Sequence, residues 1–288
     1  MSSKALSNGA GTIIAAFATG KGAAFGLDLW TAASVKLDDS GEIQAEIKGT
    51  KSESTQLIEF CAQEVFRFFD VGLGATIVTE SNIPIAKGLK SSSTAANAVV
   101  FGLVEALRKE GVTREISDLE MVNLGIDAAF KAKVTVTGAF DDATASFFGG
   151  YTVTDNQKRN IEAQGGIEDL YAYILVPSEK SYSGEIDVGK TKAFKDEIEF
   201  LWKQAKTGEI YSALTLNGLL HAQLFGYPIE PVFKALDAGA VAAGLTGKGP
   251  ATIALCPEKN KELKDRWAQF PGDVIECKTN NQKARLLK

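Results

Sequence analysis

Alternating apolar and polar positions mark strands in the first third of the chain. Residues 12–17, 25–37 and 42–47 read as strands, with Asp38-Asp-Ser-Gly41 as the turn between the last two. The period then changes, and Leu57, Ile58, Cys61, Val65 and Phe68 share one face of a helix over Ser54 to Phe69. Ala75-Thr-Ile-Val-Thr-Glu80 returns to strand alternation and is followed by a helix from about Ser92 to Lys109. A further helix over Ser117 to Lys131 opens with Ser117-Asp-Leu-Glu120, a capping-box pattern. A strand at 151–154 precedes the polar segment Asp155 to Glu168, which reads as a linker or long exposed loop. Beyond it come a strand at 171–176, helical patterns at 191–206, 208–223 and 229–238, a strand at 251–256, a helix at 259–269 and a strand at 273–278. This irregular alternation predicts an α+β protein of two domains, residues 1–155 and 156–288.

Composition narrows the classes. With 288 residues, 45% hydrophobic and 23% charged, the chain has the make-up of a soluble globular protein with a substantial core. Its net charge of −5 argues against a nucleic-acid partner, which calls for a basic excess. No apolar run approaches the roughly 20 residues that cross a bilayer. Lys4 and Gly11-Thr-Ile-Ile-Ala-Ala-Phe-Ala18 mimic a leader, but Asn8, Gly9 and Gly11 interrupt the apolar part, so a strand is expected there. Cys61, Cys256 and Cys277 are odd in number and far apart, as buried thiols of a reducing cytoplasm would be. His221 is the only histidine and sits among Leu219, Leu220 and Leu224, where packing or surface placement is expected rather than catalysis. One histidine and scattered cysteines exclude a zinc site.

Candidate chemistry concentrates in Ile83-Pro-Ile-Ala-Lys-Gly-Leu-Lys-Ser-Ser-Ser-Thr94. A strand, a glycine-containing turn and a helix N-terminus make an anion site, because the free N–H groups of the first turn and the helix dipole favour negative charge. Lys87 and Lys90 add cations, and the hydroxyls of Ser91, Ser92, Ser93 and Thr94 can cap the helix, bind phosphate or ligate a cation.

Two other glycine-rich segments compete. Gly184-Glu-Ile-Asp-Val-Gly-Lys-Thr191 fits G-x-x-x-x-G-K-[ST], yet Glu185 and Asp187 would set two carboxylates inside a polyphosphate cradle. It also lies several polar residues beyond the end of its strand, and is read as a chance match. Gly244-Leu-Thr-Gly-Lys-Gly-Pro250 permits close backbone approach and offers Thr246 and Lys248 as donors.

Together these segments resemble the GHMP kinases, the group of galacto-, homoserine, mevalonate and phosphomevalonate kinases. Pro84 to Thr94 is similar to that family's Pro-x-x-x-Gly-Leu-Gly-Ser-Ser-Ala motif, with Lys90 in place of a glycine, and Gly244 to Pro250 to its Gly-x-Ser-Gly-x-Gly-Pro loop. Leu6-Ser-Asn-Gly-Ala-Gly-Thr-Ile-Ile14, Gly88-Leu-Lys-Ser-Ser-Ser93 and Thr137-Gly-Ala-Phe-Asp-Asp-Ala143 look like the archaeal-type shikimate kinase branch. The family's His-Gly-x-Pro-Ser-Gly run is missing, which disfavours mevalonate kinase.

The resemblance implies a ribosomal S5 domain 2-like N-terminal domain and a ferredoxin-like C-terminal domain. It implies ATP and Mg²⁺ as cofactors, and phosphorylation of the small molecule shikimate to shikimate 3-phosphate on the route to chorismate and aromatic amino acids. Nucleotide would be held by Pro84, Ile85, Ala86, Lys87, Gly88, Leu89, Lys90, Ser91, Ser92, Ser93 and Thr94, with Ser92 on the metal. The metal's acidic partner is open between Glu120 and Asp127. Asp141-Asp142 stands in a small, apolar run between Phe140 and Phe148, where adjacent carboxylates repel and raise a pKa. Alignment from Gly149-Gly150 puts Asp142 at the family's catalytic acid, with Asp141 assisting or binding metal. Lys21, Gly247, Lys248 and Gly249 are candidates for the substrate carboxylate. Homoserine kinase, a non-catalytic metabolite sensor on the same fold and a P-loop NTPase remain as alternatives.

Overall fold

The computed structural model describes residues 1–50, 53–84, 89–135, 137–178 and 187–287. Two sheets carry the fold. The first contains β1 (Ser2–Ile14), β2 (Lys21–Asp38), β3 (Ile43–Ile47), β4 (Gly74–Ser81), β5 (Tyr151–Asp155), β6 (Asn160–Gly165) and β11 (Arg285–Leu286). β2 is its spine. Its first residues pair with β5 (Lys21↔Asp155) and its later ones with β4 (Thr31↔Ser81), while β1 runs antiparallel along its whole length. β1 begins at Ser2, well before the expected residue 12, because its early positions pair with β2 and are covered by helices.

α1 (Gln56–Phe69), α2 (Ser91–Lys109), α3 (Asp118–Lys131) and α4 (Phe140–Phe148) lie on this sheet. Their apolar faces bury Val65, Val99, Leu103, Leu107 and Phe147 against Val35 and Ile77, the burial that drives such layers together. α3 starts with the foreseen capping box: Ser117 Oγ accepts from Glu120 N–H, and the Glu120 carboxylate accepts from Ser117 N–H. Buried Glu64 on α1 takes ion pairs from Arg67 and from Lys131 at the end of α3.

The second sheet has the order β10-β7-β9-β8, built from β7 (Tyr171–Pro177), β8 (Ala242–Leu245), β9 (Thr252–Cys256) and β10 (Gly272–Lys278). With α5 (Lys195–Lys206), α6 (Ile210–Phe225), α7 (Glu230–Asp237) and α8 (Lys261–Trp267) between its strands, this is a split β-α-β arrangement of ferredoxin type. The sheets share a core in which Ile13, Phe25 and Leu27 meet Ile174, Ile253 and Leu255.

The reading of Asp155 to Glu168 as a linker is corrected here. β5 and β6 form a hairpin (Thr152↔Gln164) that extends the first sheet, so the boundary expected at 155/156 falls inside it. Its polar residues occupy the open edge of a sheet, where one face needs no apolar side chains. The helix α4 and the short strand β8 were likewise hidden, in runs of small residues without a clear period. Cys61, Cys256 and Cys277 are buried and unpaired, and burial pushes all three thiols up. His221 is buried, with Nδ1 donating to the Asn217 carbonyl at 2.8 Å and its pKa lowered by burial. Among the described residues no helix is long and apolar enough to cross a membrane.

Candidate active site

Two helix N-termini face one cavity of about 290 Å³ between α2, α3 and α4. α2 contributes Leu89, Lys90, Ser91, Ser92 and Ser93 to its lining, and α4 contributes Ala139, Asp142 and Ala143. The first-turn N–H groups of both helices lack intrahelical acceptors, so each end carries partial positive charge. Ile85, Ala86, Lys87 and Gly88 of the expected phosphate loop, and Gly184 to Ile186 of the P-loop look-alike, lie outside the described residues. Pro84 is half-buried and Thr94 is buried, its hydroxyl donating toward the carbonyls of Lys90 (3.0 Å) and Asn8 (3.3 Å).

Lys90 caps α2 in the left-handed conformation, with φ at 62°. Its Nζ lies 2.8 Å from Asp142 Oδ2, and both side chains are largely buried. Asp142 Oδ1, by contrast, is buried with no hydrogen-bond partner among the described residues.

Asp141 is turned away from the cavity lining toward β2 and β5. Asn156 Nδ2 donates to its Oδ1 at 2.7 Å, and the Asn156 amide is fixed in turn by the Thr154 hydroxyl, 2.7 Å from Asn156 Oδ1. Its Oδ2 rests on Gly22, where a Cβ would come within 2.5 Å. Burial first, then the neighbouring Asp142, lifts Asp141 from 3.8 to about 7, against the opposing pull of Lys90 and the Asn156 amide.

The remaining expected residues sit elsewhere. Glu120 is engaged in the α3 cap, and Asp127 pairs with Arg159 at 2.6 Å; neither lines the cavity. Lys21 pairs with Glu199 at 2.7 Å and lies over the Trp202 ring. The Gly247-Lys248-Gly249 turn is bound to β1: Gly247 N–H donates to Thr12 Oγ1 (2.9 Å), and Thr12 N–H to Thr246 Oγ1 (3.2 Å). Of the P-loop look-alike, Asp187 accepts from the Gly189 N–H at 2.9 Å, Lys190 is exposed, and the segment forms a 3-10 turn after β7 has ended at Pro177.

Three residues around the acidic pair escaped the sequence reading. Asn156 was hidden in the supposed linker, and Gly22 in Gly20-Lys-Gly22, a Gly-x-Gly without an acidic residue on a following strand to suggest a dinucleotide site. Asn97 lines the cavity and did leave a trace, as one polar residue in the apolar run Ala95-Ala-Asn-Ala-Val-Val100.

A strand leading into a serine-rich helix N-terminus, opposed by a buried acidic pair on a ferredoxin-backed sheet, defines a small-molecule phosphotransferase architecture. The mevalonate kinase of Methanococcus jannaschii superposes with a TM-score of 0.72 over 97% of this chain and 98% of that one, at 16% identity, a likeness of fold. Residues 56–150 match the GHMP kinases N terminal domain. A shikimate kinase of Methanosarcina acetivorans is 43% identical over 97% of this chain and 95% of its own. That of Methanothermobacter thermautotrophicus is 39% identical over 98% and 97%. The chain belongs to the GHMP kinase family, in the branch of these archaeal shikimate kinases.

Proposed function

We propose that this protein is an ATP-dependent kinase of shikimate, acting on the route to aromatic amino acids. Full-length identity of about 40% to archaeal shikimate kinases supports the substrate. The observation that carries the chemistry is Asp142: one carboxylate oxygen neutralised by Lys90, the other buried without a partner among the described residues, in a cavity headed by free helix N–H groups.

Phosphoryl transfer is largely positioning and charge stabilisation. The N–H groups and hydroxyls of Ser91, Ser92 and Ser93 hold the phosphates of ATP at the α2 N-terminus, with Lys90 adding a point charge. Hard oxygen donors line the cavity, and no cluster of three His, Cys, Asp or Glu side chains occurs among the described residues. That donor set fits Mg²⁺, which binds through few protein oxygens plus phosphates and retained water. Ser92 is the residue we assign to it; when bound, it neutralises charge on the transferring phosphoryl group. Asp142 Oδ1 accepts the proton of the attacking hydroxyl. Asp141, which we assign an assisting role, is held behind Asp142 by the Asn156 amide. Lys248, expected at the substrate carboxylate, does not line this cavity; among the described residues no carboxylate pairs with it, whereas Lys21 is held by Glu199.

The test is ADP release with Mg·ATP against shikimate, homoserine, mevalonate and galactose, with Asp142→Asn beside the wild type. Turnover with shikimate, lost in Asp142→Asn, is the expected result. Turnover with another alcohol moves the substrate; ATP binding without turnover favours a sensor.

A further inference from the structure

Asn97 projects from the second turn of α2 toward α4. Its Nδ2 donates to the Ala143 carbonyl at 2.9 Å, which fixes the amide, since the flipped form would set two acceptor oxygens against each other. Oδ1 must then face away from Ala143. It is buried, in a residue only 1% exposed, and has no hydrogen-bond partner among the described residues.

An orphaned acceptor is out of keeping with a phosphate cradle. Phosphate oxygens accept hydrogen bonds, so the cavity's anionic occupant leaves a lone-pair oxygen unsatisfied, and a buried oxygen left that way is destabilising. The complement it needs is an O–H or N–H donor. Water on a divalent cation supplies one, with both hydrogens turned outward from the metal. Ala96, Gly125, Ala129 and Ala143 line the same cavity as Asn97 with the smallest side chains, so a small shift of the amide opens the buried Oδ1 to it. Mg²⁺ retains several waters when bound, so the protein grips it partly through that shell.

We propose that Asn97 Oδ1 holds a water of the divalent cation taken by Ser92, making Asn97 an outer-shell metal residue of this site. The inference rests on the kinase reading above. It assigns α2 two tasks at two depths: serines of the first turn meet phosphate and metal, and the amide of the second turn orients the metal's water.

Two variants separate the acceptor from the donor. Asn97→Asp keeps an oxygen acceptor and loses the N–H donor to Ala143; Asn97→Leu removes both at similar volume. Mn²⁺ affinity of the ADP-saturated enzyme would be read by electron paramagnetic resonance, and metal-free ADP affinity by calorimetry. Asn97→Leu should lose about 10- to 100-fold in Mn²⁺ affinity, as outer-shell substitutions do. Metal-free ADP binding should be unchanged, and Asn97→Asp should hold Mn²⁺ about 10-fold or more tighter than Asn97→Leu does. Equal losses in both variants would assign Asn97 to packing against Ala143 and overturn the proposal. So would a loss confined to the acceptor's KM, which would give the amide oxygen to the substrate hydroxyl. If Asn97→Leu fails to fold, Asn97→Ala takes its place in the same comparison. A wild type that binds no ADP overturns the kinase reading itself, a result distinct from any of these.

Discussion

Lys90 takes up a left-handed backbone at the start of α2 and sets its Nζ 2.8 Å from Asp142 at the start of α4. A lysine is strained at φ 62°, where glycine is not. The related motif has glycine at this point, so the strain is tolerated here for what the side chain does. It neutralises a buried carboxylate and joins two helix ends that would otherwise present only partial positive charge to each other.

Lys90→Gly therefore separates backbone from side chain. Relief of strain stabilises by about 1 kcal/mol, while an unpaired buried carboxylate costs about 3–5 kcal/mol. Net destabilisation of about 2–4 kcal/mol is expected from these two effects. Adding Asp142→Asn to Lys90→Gly should recover most of the loss, measured as urea midpoints in a double-mutant cycle. A double variant no more stable than Lys90→Gly alone would mean that the pair carries no coupling.

Asp141→Asn should stabilise the protein while impairing it. The folded state raises Asp141 from 3.8 to about 7, so its native form binds a proton more tightly than the unfolded form. Its contribution is then fully present below about pH 4 and is lost as pH climbs to about 7. Above that range the wild type carries a buried charge that Asn lacks, and the variant should be more stable by about 2 kcal/mol, a figure discounted for the coupling to Asp142. Melting curves at pH 5 and pH 8 check this; the variant's advantage must grow with pH. Its turnover should fall at every pH.

α1, α3 and β4 were legible because each carries a clear period: α1 and α3 bury one face, and β4 alternates. The two helix-end motifs were legible for a chemical reason, since serines after a glycine turn and carboxylates in an apolar run are costly arrangements without a use. β6 was lost because an edge strand in a polar hairpin shows no apolar alternation. α4 was lost because Asp141-Asp-Ala-Thr-Ala-Ser146 is buried on every side and so has no amphipathic face. The Asn156 contact to Asp141 was beyond reach, as it joins positions that only the packing of α4 against the paired strands β2 and β5 brings together.

Gly22 is where that pairing meets the chemistry. A methyl group there would stand 2.5 Å from Asp141 Oδ2 and 2.6 Å from its carboxyl carbon, both held by the Asn156 hydrogen bond. Gly22→Ala must displace the carboxylate from β2, and a shift on the order of 1 Å in a catalytic group costs roughly 100-fold in rate. A kcat reduced by about that factor, with far-ultraviolet circular dichroism unchanged, is the expected result. Unchanged kcat would remove Asp141 from the working parts of the site.

Lys190 and Lys90 put the two phosphate-loop readings in direct competition. Lys190 is exposed, follows Asp187, which is already occupied in capping Gly189, and belongs to a 3-10 turn remote from the end of β7. Among the described residues nothing around it gathers N–H groups toward an anion. Lys190→Ala, a surface change, should alter stability by no more than about 0.5 kcal/mol, and kcat/KM for ATP should stay near the wild-type value. Lys90→Ala removes, at the head of α2, the one partner that the buried carboxylate of Asp142 has among the described residues, and should lower kcat by about 100-fold or more. Steady-state kinetics on the two variants side by side decides the matter. The reverse pattern would move nucleotide binding to the second loop and leave the α2 N-terminus as a capped helix end.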